Sequence, residues 1–179
     1  MMSNRESSSY HDQHHLFNDL VDQYGEGLMR LAYTYVKNKQ AAEDVVQEVF
    51  MRAYEKRDDF KGNSSYKTYL YRMTINRCYD HLRSWSFKNM QLTNTLTMIF
   101  QGENYPEDTA ITKDEQYMLG KEILSLSLKY REVLVLYYYK ELSVDEISTL
   151  LKCSTNTIKT RLKRAREKLK LQLEKNGGL

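Results

Sequence analysis

The sequence predicts an all-α protein made of two small helical domains joined by a flexible linker, with a helix-turn-helix in the C-terminal domain. Glycine and proline are scarce, at seven and one of 179 residues, and tyrosine is abundant at 15. That composition favours a helical protein over a β-rich or disordered one. Apolar residues recur at helical spacing along most of the chain. The periodicity is lost between about residues 86 and 112, around the single proline, which predicts the linker.

Charge is distributed unevenly between the two halves of the chain. Residues 126–179 hold twelve Lys or Arg and six Asp or Glu, a net charge of +6, whereas the whole chain carries +3. Such asymmetry suits one nucleic-acid surface and one acidic protein-binding surface. Cys78 and Cys153 are isolated thiols, which favours a reducing compartment. With no apolar run of membrane length and no signal-like start, the sequence predicts a cytoplasmic protein.

Four segments are predicted along the chain. They are a disordered tail over residues 1–12, a first domain over 13–88, the linker over 89–114 and a second domain over 115–176. The tail is predicted from its polar, Ser-rich composition.

Three helices are predicted in the first domain. The first covers 13–36 and stops at Lys37-Asn38-Lys39, where Asn38 suits a left-handed conformation. The second covers 40–56. The third begins after Ser64 or Ser65, either of which caps a helix start, and ends near Trp85.

The second and third helices carry different surfaces. Asp44, Gln47, Glu48 and Met51 are spaced by three and four and therefore lie side by side. Taken alone, that face indicates only a solvated helix. The third helix interleaves aromatic and cationic residues: Tyr66, Lys67, Tyr69, Tyr71, Arg72, Asn76, Arg77, Tyr79, His81, Arg83 and Trp85. Stacking rings next to cations are typical of proteins that hold unpaired bases, although some of these tyrosines, Tyr69 among them, are expected to fill the core.

A helix-turn-helix is predicted near the C-terminus. Ser143 and Glu146 have the spacing of a capping box, and a short helix follows to Leu151. Residues 152–154 form the turn, and Ser154 or Thr155 caps a second helix that runs to about Glu174. Such a motif places the N-terminal part of its second helix in the major groove of DNA.

The second helix of this motif has one narrow apolar stripe and a basic remainder. The residues expected to face bases are Thr155, Asn156, Lys159, Thr160 and Lys163, because amide, ammonium and methyl groups recognise base edges. The residues expected to contact phosphates are Arg161, Arg164, Arg166 and Lys168. The alternative is a solvated basic helix that only packs on its neighbours.

These motifs, in this order, resemble two regions of a known family. The N-terminal motifs are Leu28-Met29-Arg30-Leu31-Ala32-Tyr33, Ala42-Glu43-Asp44-Val45-Val46-Gln47-Glu48-Val49-Phe50, and Tyr69-Leu70-Tyr71-Arg72-Met73 with Asn76. The C-terminal motifs are Tyr130-Arg131-Glu132-Val133-Leu134, Leu142-Ser143-Val144-Asp145-Glu146-Ile147, and Thr157-Ile158-Lys159-Thr160-Arg161-Leu162-Lys163-Arg164-Ala165-Arg166. They resemble the second and fourth conserved regions of bacterial sigma factors. The two regions separated only by a linker resemble the extracytoplasmic-function (ECF) group.

The resemblance implies a transcription initiation factor that does no covalent chemistry and holds no cofactor or metal. It implies binding to the β′ and β subunits of core RNA polymerase through Asp44, Gln47, Glu48, Phe50 and Met51. It implies binding of the melted −10 promoter element, with one base flipped out, through Phe60, Asn63, Ser64, Ser65, Tyr71, Arg72 and Asn76. It implies recognition of the double-stranded −35 element through Thr155, Asn156, Thr157, Lys159, Thr160, Arg161, Lys163, Arg164 and Arg166. A linker in the polymerase RNA channel and an anti-sigma factor, often membrane-anchored, in a stress or envelope response are also implied.

The chain departs from the family pattern at five positions. Ser127 replaces a common proline, Tyr69 a common tryptophan, and Glu141, Lys152 and Asn156 common glycines. The pattern therefore leaves open where the helices around Ser127, Glu141 and Lys152 end.

Two other functions are compatible with parts of the sequence. A stand-alone helix-turn-helix regulator would bind palindromic sites as a dimer, but it leaves the acidic and the aromatic helix without a role. A nuclease would use Asp58, Asp59 and His81 around a metal ion, but no set of ligands with a recognisable spacing supports it.

Overall fold

The computed structural model describes the backbone of residues 3–56, 65–85 and 113–176, and the side chains of 18–56, 65–84 and 116–176. These residues form seven α-helices and no strand, which confirms the predicted all-α class. The chain divides into two compact units. The N-terminal unit comprises Met1–Ala32 and Gln40–Asn89, and the C-terminal unit comprises Tyr33–Lys39 and Met90–Leu179.

The first three helices are α1 (Ser3–Val36), α2 (Lys39–Glu55) and α3 (Tyr66–Trp85). The core of the N-terminal unit comes from one apolar stripe on each of them. Its fully or nearly fully buried residues include Leu28, Leu31, Ala42, Val45, Val49, Leu70, Ile75 and Cys78. The spacing of three and four within each helix is what gathers these side chains on one face.

The start and the end of α1 differ from the sequence prediction. The helix begins at Ser3, so the segment predicted to be a disordered tail is helical from that residue onward. Residues 3–12 contain no glycine or proline, and lengthening an existing helix avoids the cost of nucleating a new one. At the other end, Lys37 and not Asn38 has the left-handed backbone conformation, with φ of 54°. Lys37 N donates to Tyr33 O at 2.9 Å, which closes the last turn.

Helix α3 begins as predicted at a serine cap. Ser65 Oγ accepts a hydrogen bond from Thr68 N at 3.2 Å. This bond satisfies one of the amide groups that have no partner within the first turn. The other predicted cap, Ser64, and the predicted linker, except its last two residues at the start of the next helix, lie outside the described residues.

The C-terminal unit contains four further helices, α4 (Lys113–Ser125), α5 (Leu128–Leu134), α6 (Val144–Leu151) and α7 (Thr155–Lys175). A π-helical turn, Val135–Tyr139, continues α5. Ser127, where the family pattern has proline, is the residue that precedes α5, with φ of −61°. That value lies within the range that proline imposes, so the departure from the pattern leaves the start of α5 unchanged.

The predicted helix-turn-helix is confirmed in its capping chemistry. Ser143 and Glu146 form both hydrogen bonds of a capping box at the start of α6. Ser154 caps α7, since its hydroxyl oxygen accepts a hydrogen bond from Thr157 N at 3.2 Å. Between the two helices, Ser148 Oγ donates to Cys153 O at 2.6 Å. Each end of the turn is therefore held by a side chain, which fixes the direction in which α7 leaves it.

Two positions where the family pattern has glycine keep a left-handed backbone here without it. Glu141 has φ of 54° and Lys152 has φ of 53°. Residues other than glycine are strained in the left-handed conformation because their Cβ crowds the following carbonyl oxygen. The backbone at Glu141 and Lys152 therefore keeps the conformation that suits glycine, at an energetic cost.

The core of the C-terminal unit is built from α5, α6 and α7 with support from α4. Its most buried residues include Ile123, Val133, Leu136, Ile147, Ile158, Leu162 and Ala165. Helix α7 therefore buries its narrow apolar stripe and leaves the rest of its circumference outside the core.

Candidate nucleic-acid interface

The exposed side of α7 carries a strongly positive charge. The helix has eight Lys or Arg and two Asp or Glu residues. Six of the predicted DNA-binding residues are exposed: Asn156, Lys159, Thr160, Lys163, Arg164 and Arg166. Among the described residues, Lys159, Lys163 and Arg164 form no ion pair. Their charges are therefore available to an external anion.

Three other predicted DNA-binding residues are only partly exposed, and two of them are engaged inside the unit. Thr155, Thr157 and Arg161 are half-buried. The hydroxyl of Thr157 lies 2.8 Å from Ser154 Oγ. Arg161 Nη1 donates to Glu132 Oε1 at 3.2 Å. Thr160, although exposed, donates its hydroxyl to Asn156 O at 2.8 Å.

A groove of about 380 Å³ lies beside the first three turns of α7. Besides residues of α7, Lys129 and Tyr130 of α5 line it. Lys129 Nζ and Lys168 Nζ lie 5.1 Å and 5.7 Å from the centroid of the Tyr130 ring. Lys129 was not predicted from the sequence, because periodicity along α7 cannot reveal a cation contributed by another helix. It extends the basic surface beyond α7.

The predicted polymerase-binding face on α2 is partly exposed and partly internal. Asp44, Gln47 and Met51 are exposed. Glu48 is half-buried and forms ion pairs with Arg77 of α3 at 2.5 Å and with Arg52 at 2.7 Å. Phe50 is 5% exposed and belongs to the core, so it supports this face from beneath.

The described part of the predicted −10 surface lies on α3. Arg72 is half-buried and Asn76, one turn later, is exposed. Ser65 is exposed and caps the helix. Tyr71 is 5% exposed, and burial raises its pKa to about 12. Phe60, Asn63 and Ser64 lie outside the described residues.

The burial of the α3 tyrosines differs from the sequence prediction. Tyr69, expected in the core, is half-buried, whereas Tyr71, expected at the DNA surface, is buried. Tyr66 and Tyr69 are both half-buried, and their ring centroids lie 5.8 Å apart.

The described residues carry no sign of a metal centre or of a membrane span. No group of three His, Cys, Asp or Glu among them is arranged to hold a metal ion. No helix within the described ranges combines the length and apolar character needed to cross a bilayer. Of the nuclease residues considered above, Asp58 and Asp59 lie outside the described residues.

Fold and site together define a class of protein, a two-unit helical protein whose C-terminal helix-turn-helix carries an exposed basic helix. Comparison with known families identifies the class further. The family model Sigma-70 region 2 matches residues 20–86, and Sigma-70, region 4 matches residues 117–169. The chain is 37% identical over 165 residues to the ECF RNA polymerase sigma factor SigW of Bacillus subtilis, with 88% of each chain covered. It belongs to the ECF sigma factors, which are non-enzymatic transcription initiation factors.

Other relatives agree with this assignment. The chain is 31% identical over 166 residues to the RNA polymerase sigma-H factor of Pseudomonas aeruginosa, covering 88% and 86% of the two chains. Among solved structures, CnrH in complex with the cytosolic domain of CnrY matches with a TM-score of 0.62 and 25% identity, over 88% of this chain and 87% of that one. The sigma factor RpoE of Bartonella quintana, solved with the anti-sigma factor NepR, shares the fold, with a TM-score of 0.69 and 23% identity over 88% and 96% of the chains.

Proposed function

We propose that this initiation factor divides promoter recognition between its units. Helix α7 recognises the double-stranded −35 element, α3 with the segment before it captures the melted −10 element, and the exposed face of α2 binds the β′ and β subunits of core RNA polymerase. The observation that carries the DNA role is the capped start of α7, where exposed Asn156, Lys159 and Lys163 follow a rigid turn. Asn and Lys side chains at that end of a recognition helix are suited to adenine and guanine edges.

The polymerase role of α2 is supported by what is left exposed on it. Asp44 and Gln47 offer a carboxylate and an amide to solvent, and Met51 is 54% exposed. An exposed methionine beside polar groups is adaptable apolar area of the kind found at protein interfaces. Glu48 is bound to Arg77 and Arg52, so we assign it to holding α2 against α3.

An anti-sigma factor is the proposed regulator. The solved relatives CnrH and RpoE are described as complexes with the cytosolic domain of CnrY and with the anti-sigma factor NepR. We propose that this chain acts in the cytoplasm and is held inactive there by an anti-sigma factor until a stress or envelope signal releases it. A membrane-anchored anti-sigma factor would hold the chain at the inner face of the membrane.

The direct test is binding of the full chain to bacterial core RNA polymerase, followed by run-off transcription from a pool of promoters of the same genome. Saturable binding with new start sites is the expected result. Folded, partner-free protein that binds DNA as a dimer but does not bind core polymerase would instead fit a stand-alone regulator.

Two variants test the division of labour. Asp44→Lys should weaken core binding, whereas Asp22→Lys, which makes the same charge change at an exposed position of α1, should not. Lys159→Ala combined with Thr160→Ala should change which −35 sequences are used and leave core binding intact. Loss of core binding in the second variant would contradict the assignment of these functions to separate helices.

A further inference from the structure

The geometry points to Arg161 as a positioning residue that fixes the recognition helix α7 to α5 through the buried carboxylate of Glu132, and not as a contact to DNA phosphates. This inference rests on the proposed DNA role of α7 and deepens it. It also reassigns a residue that the sequence pattern groups with the phosphate-binding arginines.

The position of Arg161 on α7 is the first observation. It follows Ile158 by three residues and precedes Ala165 by four, and both of these are buried. Residues at those spacings share a helix face, so Arg161 lies beside the apolar stripe. Its side chain is 27% exposed. Lys159, Lys163 and Arg164, by contrast, are exposed.

The environment of Glu132 is the second observation. Its side chain is 1% exposed. Its Oε1 accepts the hydrogen bond from Arg161 Nη1 at 3.2 Å, and its Oε2 accepts one from the hydroxyl of Tyr35, in the same unit, at 3.3 Å. A buried carboxylate is destabilising unless a cation and hydrogen bonds compensate for its lost solvation.

The neighbouring arginine already has other partners. Arg131 Nη1 donates to the carbonyl oxygens of Leu124 and Leu126, at 3.2 Å and 2.8 Å. It thereby joins α5 to the turn that precedes it. Arg131 also interacts electrostatically with Glu132, but these hydrogen bonds of its guanidinium go to backbone carbonyl oxygens. Arg161 forms the direct ion pair with Glu132 and reaches it from α7, so the pair ties together the two helices that line the groove described above.

A double-mutant cycle in the full chain tests the coupling. Arg161→Gln leaves the Glu132 carboxylate buried without that cation, and we expect the unfolding equilibrium constant to rise roughly 100-fold or more. Glu132→Gln should cost much less, because the guanidinium it releases is partly solvated. The double variant, with both charges removed, should recover most of the stability lost in Arg161→Gln. Additive effects would overturn the inference.

DNA binding by the double variant separates positioning from contact. The variant keeps the net charge of the wild type, so long-range attraction to DNA is preserved. The probe is a duplex of about 30 base pairs that the wild-type full chain selects from a random pool, and its affinity is measured against salt concentration. We expect an affinity loss of about tenfold, because α7 is less well fixed. The slope of log affinity against log salt should be unchanged.

Arg164→Gln is the matched control on the exposed side of α7. It should reduce the salt slope by about 0.9, the value for one phosphate contact, without loss of stability. A double variant that shows the same reduced slope would overturn the inference and return Arg161 to the phosphate contacts. A folded double variant with wild-type affinity would also overturn it, because the pair would then be purely structural. Wild-type protein that selects no duplex would overturn the proposed function, and this inference with it.

Discussion

Each unit of this protein contains a Glu–Arg ion pair that ties a helix with a proposed binding role to its neighbour. In the N-terminal unit Glu48 of α2 meets Arg77 of α3 at 2.5 Å, with 30% and 38% of the side chains exposed. In the C-terminal unit Glu132 of α5 meets Arg161 of α7 at 3.2 Å, with 1% and 27% exposed. We expect the longer contact to affect the free energy of unfolding more, because burial of the charges, and not the distance between them, dominates the effect of losing one partner.

The difference indicates how each binding helix is held. On α2, the pair is partly solvated, and the buried apolar stripe that includes Val45 and Val49 fixes the helix to its neighbours. On α7 the apolar stripe is narrow, because most of the helix faces outward with cationic side chains. A buried ion pair adds a directional contact that the narrow stripe does not provide.

The largest effect expected from this comparison is on stability. Arg161→Gln should lower the free energy of unfolding by about 3–5 kcal/mol, the range for breaking a buried pair by removing one partner. The measurement is chemical denaturation of the full chain followed by circular dichroism. A loss of under about 1 kcal/mol, the range for exposed pairs, would show that the Glu132 carboxylate does not depend on Arg161 to compensate its burial.

The two cysteines give a second contrast between the units, and it depends on pH. Burial raises the pKa of the Cys78 thiol from 9.0 to about 12. The unfolded chain therefore loses this proton at lower pH than the folded one, so the contribution of Cys78 to stability is complete below pH 9 and is lost as pH rises toward 12. Between pH 7 and pH 10 the loss should be about 1.4 kcal/mol.

The control for this pH dependence is Cys78→Ala, which removes the titration. Other groups titrate in the same range, so the quantity to compare is the difference between the two stability-versus-pH curves. Parallel curves would contradict burial of the thiol. The half-buried Cys153 should react with iodoacetamide in the native protein, and Cys78 should not.

The two units differ in how their backbone conformation matches the residue present, and this difference gives a third test of stability. Lys152 has a left-handed backbone without glycine, and Gly25 lies within helix α1. Lys152→Gly should stabilise the protein by about 1 kcal/mol by relieving backbone strain. Gly25→Ala should do so by about 0.8–1 kcal/mol, because a Cβ there would lie 3.7 Å from Val21 Cγ1, an ordinary contact. Thermal unfolding measures both, and destabilisation by Lys152→Gly would contradict the left-handed conformation.

Local features, which depend only on residues close together in the chain, were predicted better from the sequence than contacts between residues far apart in the chain, which depend on packing. The capping box of Ser143 and Glu146 and the cap at Ser154 follow from side chains that bond to their own helix, and the structure has them as predicted. The link between Glu132 and Arg161 spans 29 residues, and no local pattern marks it.

The tyrosines of α3 illustrate the same limit. Tyr69 and Tyr71 are two residues apart and equally aromatic, so the choice of which ring is buried depends on how α3 meets the other helices of its unit. The sequence contains a tryptophan-to-tyrosine change relative to the family pattern at Tyr69, but that change does not reveal how much of the ring is exposed. Residue-level assignment of the −10 surface therefore depends on tertiary packing.

The smallest effect expected concerns the partly exposed pair of Glu48 on α2 and Arg77 on α3. Glu48→Gln should change the free energy of unfolding by under about 1 kcal/mol, because Glu48 and Arg77 are both partly solvated. If Glu48 only holds α2, the variant should also bind core polymerase with nearly wild-type affinity, whereas Asp44→Lys should not. A loss of core affinity in Glu48→Gln equal to that in Asp44→Lys, with stability unchanged, would show that Glu48 exchanges Arg77 for a partner on the polymerase. The solvated pair would then be a replaceable contact, in contrast to the buried pair of Glu132, whose partner cannot leave without destabilising the fold.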